Sequence, residues 1–214
     1  MKKNYWNEIY KTEHHKSIWP WDDVIKLIKK FTNLKNKNKN ILEIGCGLGA
    51  NIPFFLYEKF DYYGIDFSSK AVKTIKKKFP RIKKKIILSD LVKFNFSSLK
   101  TKFNIILDRG TITHITDKNI KKILDQFSEI TNKNSILVCC SLYSDKCTDR
   151  MKYKNKNIFK KGLFANVGYI NFFNKKKLKK IFKHWEILFM EEVDYYDHIK
   201  KNRYRYWNLV LKKK

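Results

Sequence analysis

The segment Asn40-Ile41-Leu42-Glu43-Ile44-Gly45-Cys46-Gly47-Leu48-Gly49-Ala50 most constrains the fold. A short apolar run ends in an acid, is followed by glycine at three alternate positions, and then enters a helix-like stretch. This is the pattern of a strand, a tight turn and a helix, with backbone exposed to a ligand where no Cβ intervenes. Gly45, Gly47 and Ala50 also satisfy the dinucleotide fingerprint G-x-G-x-x-G/A. On this segment alone a nicotinamide or flavin site competes with any other nucleotide-like ligand.

The order of elements narrows the fold. Apolar residues recur at helical spacing over 22 to 31, behind an acidic cap at Asp22-Asp23. Strand signals follow at 40 to 44, 61 to 65, 85 to 89, 103 to 108 and 135 to 142. Helical patterns lie between them at about 50 to 59, 68 to 79 and 117 to 130, the last with an N-cap at Thr116-Asp117. Such alternation implies right-handed crossovers and a mostly parallel sheet. A helix over 174 to 183 precedes two apolar runs, 184 to 193 and 204 to 212, separated by about ten residues. That gap is too short for a helical crossover, so the runs pair antiparallel. The expected fold is α/β: a Rossmann-like, seven-stranded, mostly parallel sheet with a C-terminal antiparallel hairpin and helices on both faces.

A chain of 214 residues suits one domain with one sizeable core. The expected division is an N-terminal lid and helix (1–39), a cofactor-binding half (40–142), a substrate lid (143–173) and a C-terminal helix with hairpin (174–214). The first residues lack the apolar core of a signal peptide, and no run is long and apolar enough to span a membrane, so a cytoplasmic location is expected. Cys46, Cys139, Cys140 and Cys147 show no C-x-x-C spacing and are read as reduced and structural, with no metal site.

The formal charge of +28 raises nucleic acid as a partner, because clustered cations displace counterions from phosphates. Yet of the 48 basic residues only Arg81, Arg109, Arg150, Arg203 and Arg205 are arginine, the side chain suited to bidentate phosphate recognition. Lysine, asparagine, isoleucine, phenylalanine and tyrosine are inflated together, a bias expected of an A/T-rich genome. Nucleic acid therefore ranks below a small-molecule partner, although the charge would still draw in an anionic one.

From residue 40 onward the chain resembles class I S-adenosylmethionine-dependent methyltransferases, with four motifs in order. Glu43-x-Gly45-x-Gly47-x-Gly49, with Asn51 just beyond, resembles the turn that holds the methionine part of the cofactor. Ile65-Asp66-Phe67 ends the second strand, where the resemblance implies that an acid accepts both ribose hydroxyls; a carboxylate suits a vicinal diol because it takes two hydrogen bonds at once. Asp90-Leu91 closes the third strand, at the adenine contact. Asp108-Arg109-Gly110 closes the fourth, beside the transferring methyl group. Four such features at strand ends agree with the rule that ligands of open α/β sheets bind outside the carboxyl ends of the strands. A short-chain dehydrogenase needs a Tyr-x-x-x-Lys base, and the one match, Tyr196-x-x-x-Lys200, lies too late in the chain.

Asp108-Arg109-Gly110, the N-terminal Tyr5-Trp6 segment and residues 190 to 194 also look like thiopurine methyltransferases and their bacterial small-molecule relatives, more loosely. That likeness implies Trp6 and Tyr10 as cofactor cover and places Arg109 near cofactor and acceptor. Asp108 and His114 are candidate bases, needed only if the acceptor arrives protonated. No Asn/Asp-Pro-Pro-Tyr sequence follows the fourth strand; Asp108-Arg109-Gly110-Thr111 stands in its place. Residues 5 to 21, with His14, His15, Trp19 and Trp21 among their aromatics, and the long connection 143 to 173 are the expected lids. The expected activity is methyl transfer from S-adenosylmethionine to an O, N or S atom of a small polar or anionic metabolite, such as a sugar or a glycan or antibiotic precursor. An RNA methyltransferase and a non-catalytic cofactor-binding subunit are the alternatives.

Overall fold

The computed structural model describes residues 3–10, 17, 19–35, 39–153, 156–199 and 201–214. His14, His15 and Lys200 lie outside them. Seven strands form one sheet in the order β3-β2-β1-β4-β5-β7-β6: β1 Asn40–Ile44, β2 Asp61–Asp66, β3 Ile86–Leu88, β4 Phe103–Arg109, β5 Thr131–Tyr143, β6 Trp185–Asp197 and β7 Asn202–Lys213. The first five run parallel, and β7 pairs antiparallel with both β5 and β6. The mostly parallel sheet with a reversed terminal hairpin is thus the observed architecture. Strand order reverses at β1, which lies between β2 and β4, and a crevice opens at such a switch point.

Helices α1 Lys3–Ile9, α2 Asp22–Phe31, α3 Ile52–Tyr57, α4 Ser69–Lys78, α5 Asp117–Ile130, α6 Thr148–Lys152 and α7 Lys175–Ile181 complete the fold. Side-chain alternation along the strands builds a core on each face. In β4, Phe103 and Ile106 join α5 and α7 through Phe127, Leu178 and Phe182. Ile105 and Leu107 face the other way, toward Leu27 and Ile28 of α2, Phe55 of α3 and Ile75 of α4. α5 is held mainly by its apolar stripe, Ile120, Ile123, Leu124, Phe127 and Ile130, each worth about 1.5–3 kcal/mol when fully buried. Truncating Phe127 would cost roughly 3–5 kcal/mol.

Local details depart from expectation. Neither α2 nor α5 has a side-chain cap: the residues before them, Trp21 and Thr116, accept no cap hydrogen bond, and the acids sit inside the first turn. There they favour the helix through its dipole. α1 and α6 carry no periodic apolar signature and are not evident from sequence. β5 begins at Thr131, ahead of the expected 135: Thr131 pairs with Phe103, and an irregularity containing Asn134, at a positive φ of 75°, separates that pair from Ile136 and Ile105. The connection 143 to 173, expected as a substrate lid, folds around its own small core of Cys147, Phe159, Phe164, Ile170 and Phe172. All four cysteines are buried free thiols. Among the described residues no helix is long and apolar enough to cross a membrane.

Candidate active site

A cleft of about 750 Å³ lies over the carboxyl ends of β1, β2, β4 and β5. Its floor is the turn after β1. Gly45, Gly47 and Gly49 have φ of 66°, 53° and 78°, a region that costs an L side chain roughly 1–2 kcal/mol. Their side-chain spaces differ. A Cβ on Gly45 would lie 1.9 Å from Thr111 Oγ1, so that glycine allows the turn to meet the loop after β4. A Cβ on Gly47 would approach Tyr10 Oη at 3.1 Å, inside the cleft. One on Gly49 would strike Ile52 Cδ1 at 2.6 Å and Ile75 Cγ1 at 3.1 Å. Gly49 therefore serves helix packing, and the structure leaves it out of the cleft lining.

Asp66 ends β2, nearly fully buried. Its Oδ2 accepts the Gly47 N–H at 2.9 Å and its Oδ1 accepts the Ser68 N–H at 2.8 Å. Burial raises its pKa, against the lowering effect of those amides. Phe67 and Leu91 line the same side. Asp90 does not: its Oδ1 accepts the Val92 N–H at 2.9 Å in an exposed turn, and the adjacent Leu91 is the side chain that turns inward.

Glu43 is buried below the turn, its Oε1 accepting Asn51 Nδ2 at 2.8 Å and its Oε2 accepting Tyr62 Oη at 2.6 Å. Desolvation raises its carboxyl to about 7, opposed by those hydrogen bonds. Asn51 is thereby used twice, because its Oδ1 also accepts the Trp21 N–H at 3.1 Å. This explains why it stands before α3 without capping it.

Asp108 and Arg109 are adjacent in β4 and so point to opposite sides. Asp108 is fully buried and absent from the lining; its Oδ1 accepts the N–H groups of Thr111 and Ile112 at 3.0 Å. Its pKa is raised to about 7 by burial, and its Oδ2 has no hydrogen-bond partner among the described residues. Asp108 thus shapes the loop that carries His114 and does not itself reach the cleft. Arg109 does line it, with its Nε donating to Asp23 Oδ1 at 3.3 Å and its guanidinium 3.6 Å from the Trp21 ring centroid.

His114, in a short 3-10 turn Ile112–His114, lines the cleft with its ring 5.3 Å from that of Trp6 at 75°. Its Nδ1 lies 3.3 Å from the Tyr169 carbonyl oxygen. A carbonyl only accepts, so this contact assigns the proton to Nδ1 and leaves Nε2 as the lone-pair nitrogen. Burial lowers the pKa to about 4, so the ring is neutral at physiological pH.

Trp6 and Tyr10 close the cleft from the N-terminal side, where Asn7 Oδ1 accepts the Ser68 hydroxyl at 2.6 Å and ties α1 down. Trp6 Nε1 is buried without a hydrogen-bond partner among the described residues. Tyr5 packs edge-on against Trp6 but does not line the cleft, and Trp19 is exposed on the surface.

Sequence reading missed the opposite wall. Ser141 has a positive φ of 58° at an irregularity between Cys139 and Leu142, and its N–H donates to Asn208 Oδ1 at 3.0 Å. Beyond that bulge Tyr143 pairs with Tyr206, which pairs with Val193, and one step outward Tyr204 pairs with Tyr195. These residues all face the cleft. The available signal was the alternation of Tyr204 and Tyr206 on a strand beside β5. Of the connection 143 to 173, only Tyr143 and the carbonyl of Tyr169 meet this site among the described residues.

The arrangement suits S-adenosylmethionine. Close backbone approach at Gly47, a carboxylate with lone pairs at Asp66, apolar walls at Phe67 and Leu91, and the unpartnered Trp6 Nε1 together meet the needs of a nucleoside joined to an amino acid. Comparison with known proteins agrees. The methyltransferase domain family model matches residues 15–185. No curated protein matches the chain. Among solved structures, an S-adenosylmethionine-dependent methyltransferase from Methanosarcina mazei is 13% identical, with TM-score 0.68, over 87% of this chain and 96% of that one. One from Anabaena variabilis is 17% identical, with TM-score 0.68, over 99% and 93%. A protein that converts a disulfide bond into a thioacetal group during echinomycin biosynthesis is 12% identical, with TM-score 0.69, over 100% and 92%. The glycine turn, the switch-point cleft and the family match converge: the chain belongs to the methyltransferase domain family and has the class I fold of S-adenosylmethionine-dependent enzymes.

Proposed function

We propose that the chain, as one cytoplasmic methyltransferase domain, moves a methyl group from S-adenosylmethionine to an O, N or S atom of a small polar or anionic metabolite. The observation that carries this reading is that the glycine turn and Asp66 share one 750 Å³ cleft with Arg109, His114 and the tyrosine wall. That volume is typical of small-molecule sites. Described lysines are absent from its lining, which speaks against a groove for a nucleic-acid backbone. The echinomycin-pathway neighbour supports a small acceptor.

S-adenosylmethionine, when bound, supplies a methyl group already activated on a sulfonium. The protein's work is then alignment and exclusion of water. Gly45 and Gly47 would receive the amino-acid end, Asp66 would accept from the ribose hydroxyls, and Phe67 and Leu91 would flank the base. Trp6 and Tyr10 cover the site. His114, with its proton fixed on Nδ1, offers Nε2 as hydrogen-bond acceptor for an acceptor hydroxyl or amine, and its low basicity restricts it to orienting that proton before transfer.

Calorimetric titration with S-adenosylmethionine, S-adenosylhomocysteine and NAD tests the reading. Micromolar binding of the first two and none of the third is expected. Binding of NAD alone would overturn it in favour of redox chemistry.

A further inference from the structure

The acceptor half of the cleft carries a chemistry of its own. In a chain with 48 lysines and arginines, Arg109 is the one cation among the described lining residues. It is also fixed before any ligand arrives. Its face rests on Trp21 at 3.6 Å, and a single N–H, on Nε, goes to Asp23 Oδ1. Asp23 is itself buried and anchored, since its Oδ1 also accepts the Val24 N–H at 2.8 Å and its Oδ2 the Ser141 hydroxyl at 3.3 Å. A guanidinium has five N–H donors, and those on the two Nη atoms make no hydrogen bond to a described residue. Such a fork matches a planar anion bidentately, which an ammonium does not.

What surrounds the fork is aromatic. Tyr143 of β5, Tyr206 and Tyr204 of β7 and Tyr195 of β6 occupy successive rungs on one face of three adjacent strands. Trp21 completes the enclosure. The acids that line this half lie at the hairpin end, where Asp194 is already held by Arg203 at 3.3 Å and Arg205 at 2.5 Å, with Asp197 beyond; Asp23 stands behind Arg109, outside the lining. The Asp23 pairing reduces the net charge at Arg109 but leaves its donor geometry intact. A site of this composition favours a flat ring that carries an acid group.

We propose that the methyl acceptor is an aromatic carboxylate, with its acid group held by the Arg109 fork and its ring packed among Trp21, Tyr143 and Tyr206. This rests on the methyltransferase reading and names its substrate class.

The test is calorimetric binding of 4-hydroxybenzoate, 4-hydroxybenzamide and trans-4-hydroxycyclohexanecarboxylate to protein saturated with S-adenosylhomocysteine. The carboxylate should bind at least about tenfold tighter than the amide, and the aromatic acid several-fold tighter than the saturated one. Arg109→Gln should bring the acid-to-amide ratio near unity, Arg109→Lys should leave it between, and Tyr206→Leu should erase the preference for the aromatic ring. Each ratio is taken within one variant, so changes in cofactor affinity or folding divide out. An equal affinity for acid and amide in the unmodified protein, a ratio that survives Arg109→Gln, or no binding of any of the three overturns the proposal. If S-adenosylhomocysteine itself fails to bind, the methyltransferase reading fails first.

Discussion

The carboxylate of Asp66 and the backbone N–H of Gly47 are joined at 2.9 Å, so the end of β2 and the turn after β1 act as one unit. Since Asp66 also accepts the Ser68 N–H, it sets the geometry on both sides of the expected ribose position. Asp66→Ala should weaken S-adenosylmethionine binding by roughly 1.5–3 kcal/mol, the cost of a charged hydrogen-bond partner, and should lower apo stability as well. Asp66→Asn retains one acceptor oxygen and should lose less of both. Affinity unchanged in Asp66→Ala would remove this residue from the cofactor site.

Two glycines of similar φ separate space from backbone strain. Gly45, at 66°, leaves no room for a Cβ beside Thr111, whereas a Cβ on Gly110, at 72°, would meet nothing within 4 Å among the described residues. Gly110→Ala should therefore cost only the left-handed penalty of about 1–2 kcal/mol. Gly45→Ala should cost clearly more, because it also pushes Thr111 Oγ1 away from the Ile44 carbonyl it donates to at 3.2 Å. Urea midpoints of the two variants decide this, and equal losses would show that strain alone sets the requirement for glycine.

The histidine makes a spectroscopic prediction. With burial as the dominant cause, the His114 ring should titrate near 4 by NMR, well below an exposed imidazole near 6.5. His114→Ala should lower turnover while leaving cofactor affinity in place, without removing any break in the rate profile between pH 6 and 7. A ring titrating near 6.5 would show that His114 is solvated and able to act as a base at neutral pH.

The sequence carried the sheet because the apolar runs of β1, β4 and the later part of β5, buried over most of their length, fall between helical patterns. It carried less of the site. Glu43, Gly45, Gly47, Asn51, Asp66, Phe67, Leu91, Arg109 and His114 all reach the cleft, but so do Ser141 and the tyrosines of β7, which spacing alone did not single out. Motif position locates the end of a strand, whereas the face a side chain occupies follows from the pleat: at the end of β4 the alternation sends Asp108 into the core and Arg109 into the cleft. The bulge at Ser141 is harder to foresee, because a positive φ at a serine has no sequence signature. α1 was hidden for a different reason. Seven residues make too few turns for a periodic signal, and the helix is held by contacts to α4 and the cleft.

Trp6 tests whether the N-terminal helix covers the cofactor or merely packs. Its Nε1 has no partner among the described residues, so Trp6→Phe removes an unsatisfied polar group and should leave the apo melting temperature nearly unchanged. Trp6→Ala removes the ring against His114 and Tyr10 and should loosen S-adenosylhomocysteine markedly. If Trp6→Ala lowers the apo melting temperature as much as it lowers affinity, the ring serves the fold and the cover reading fails.

Buried carboxyls give the fold a pH dependence that runs opposite to ordinary acid denaturation. Glu43 and Asp108 have their pKa values raised by burial from the usual carboxylate range to about 7. In the window between about 4.5 and 7 the folded protein therefore holds protons that the unfolded chain has released. Stability from these two groups is full at the acid end and falls as pH rises through 7. His114 acts in the opposite sense between its folded value of about 4 and 6.5, because there the unfolded chain holds the extra proton. With Asp66 shifted in the same direction by its burial, three carboxyls against one imidazole leave a net loss of stability as pH rises through this window. Glu43→Gln stays neutral throughout, so it should flatten the slope of melting temperature against pH between 5 and 7.5 and raise the melting point relative to the parent at pH 8. Each kcal/mol recovered corresponds to roughly 2–4 °C for a chain of this size. A parent protein whose melting temperature climbs steadily from pH 5 to 8, with the same slope in Glu43→Gln, would mean that Glu43 is ionised in the folded state and that its hydrogen bonds from Asn51 and Tyr62 outweigh its burial.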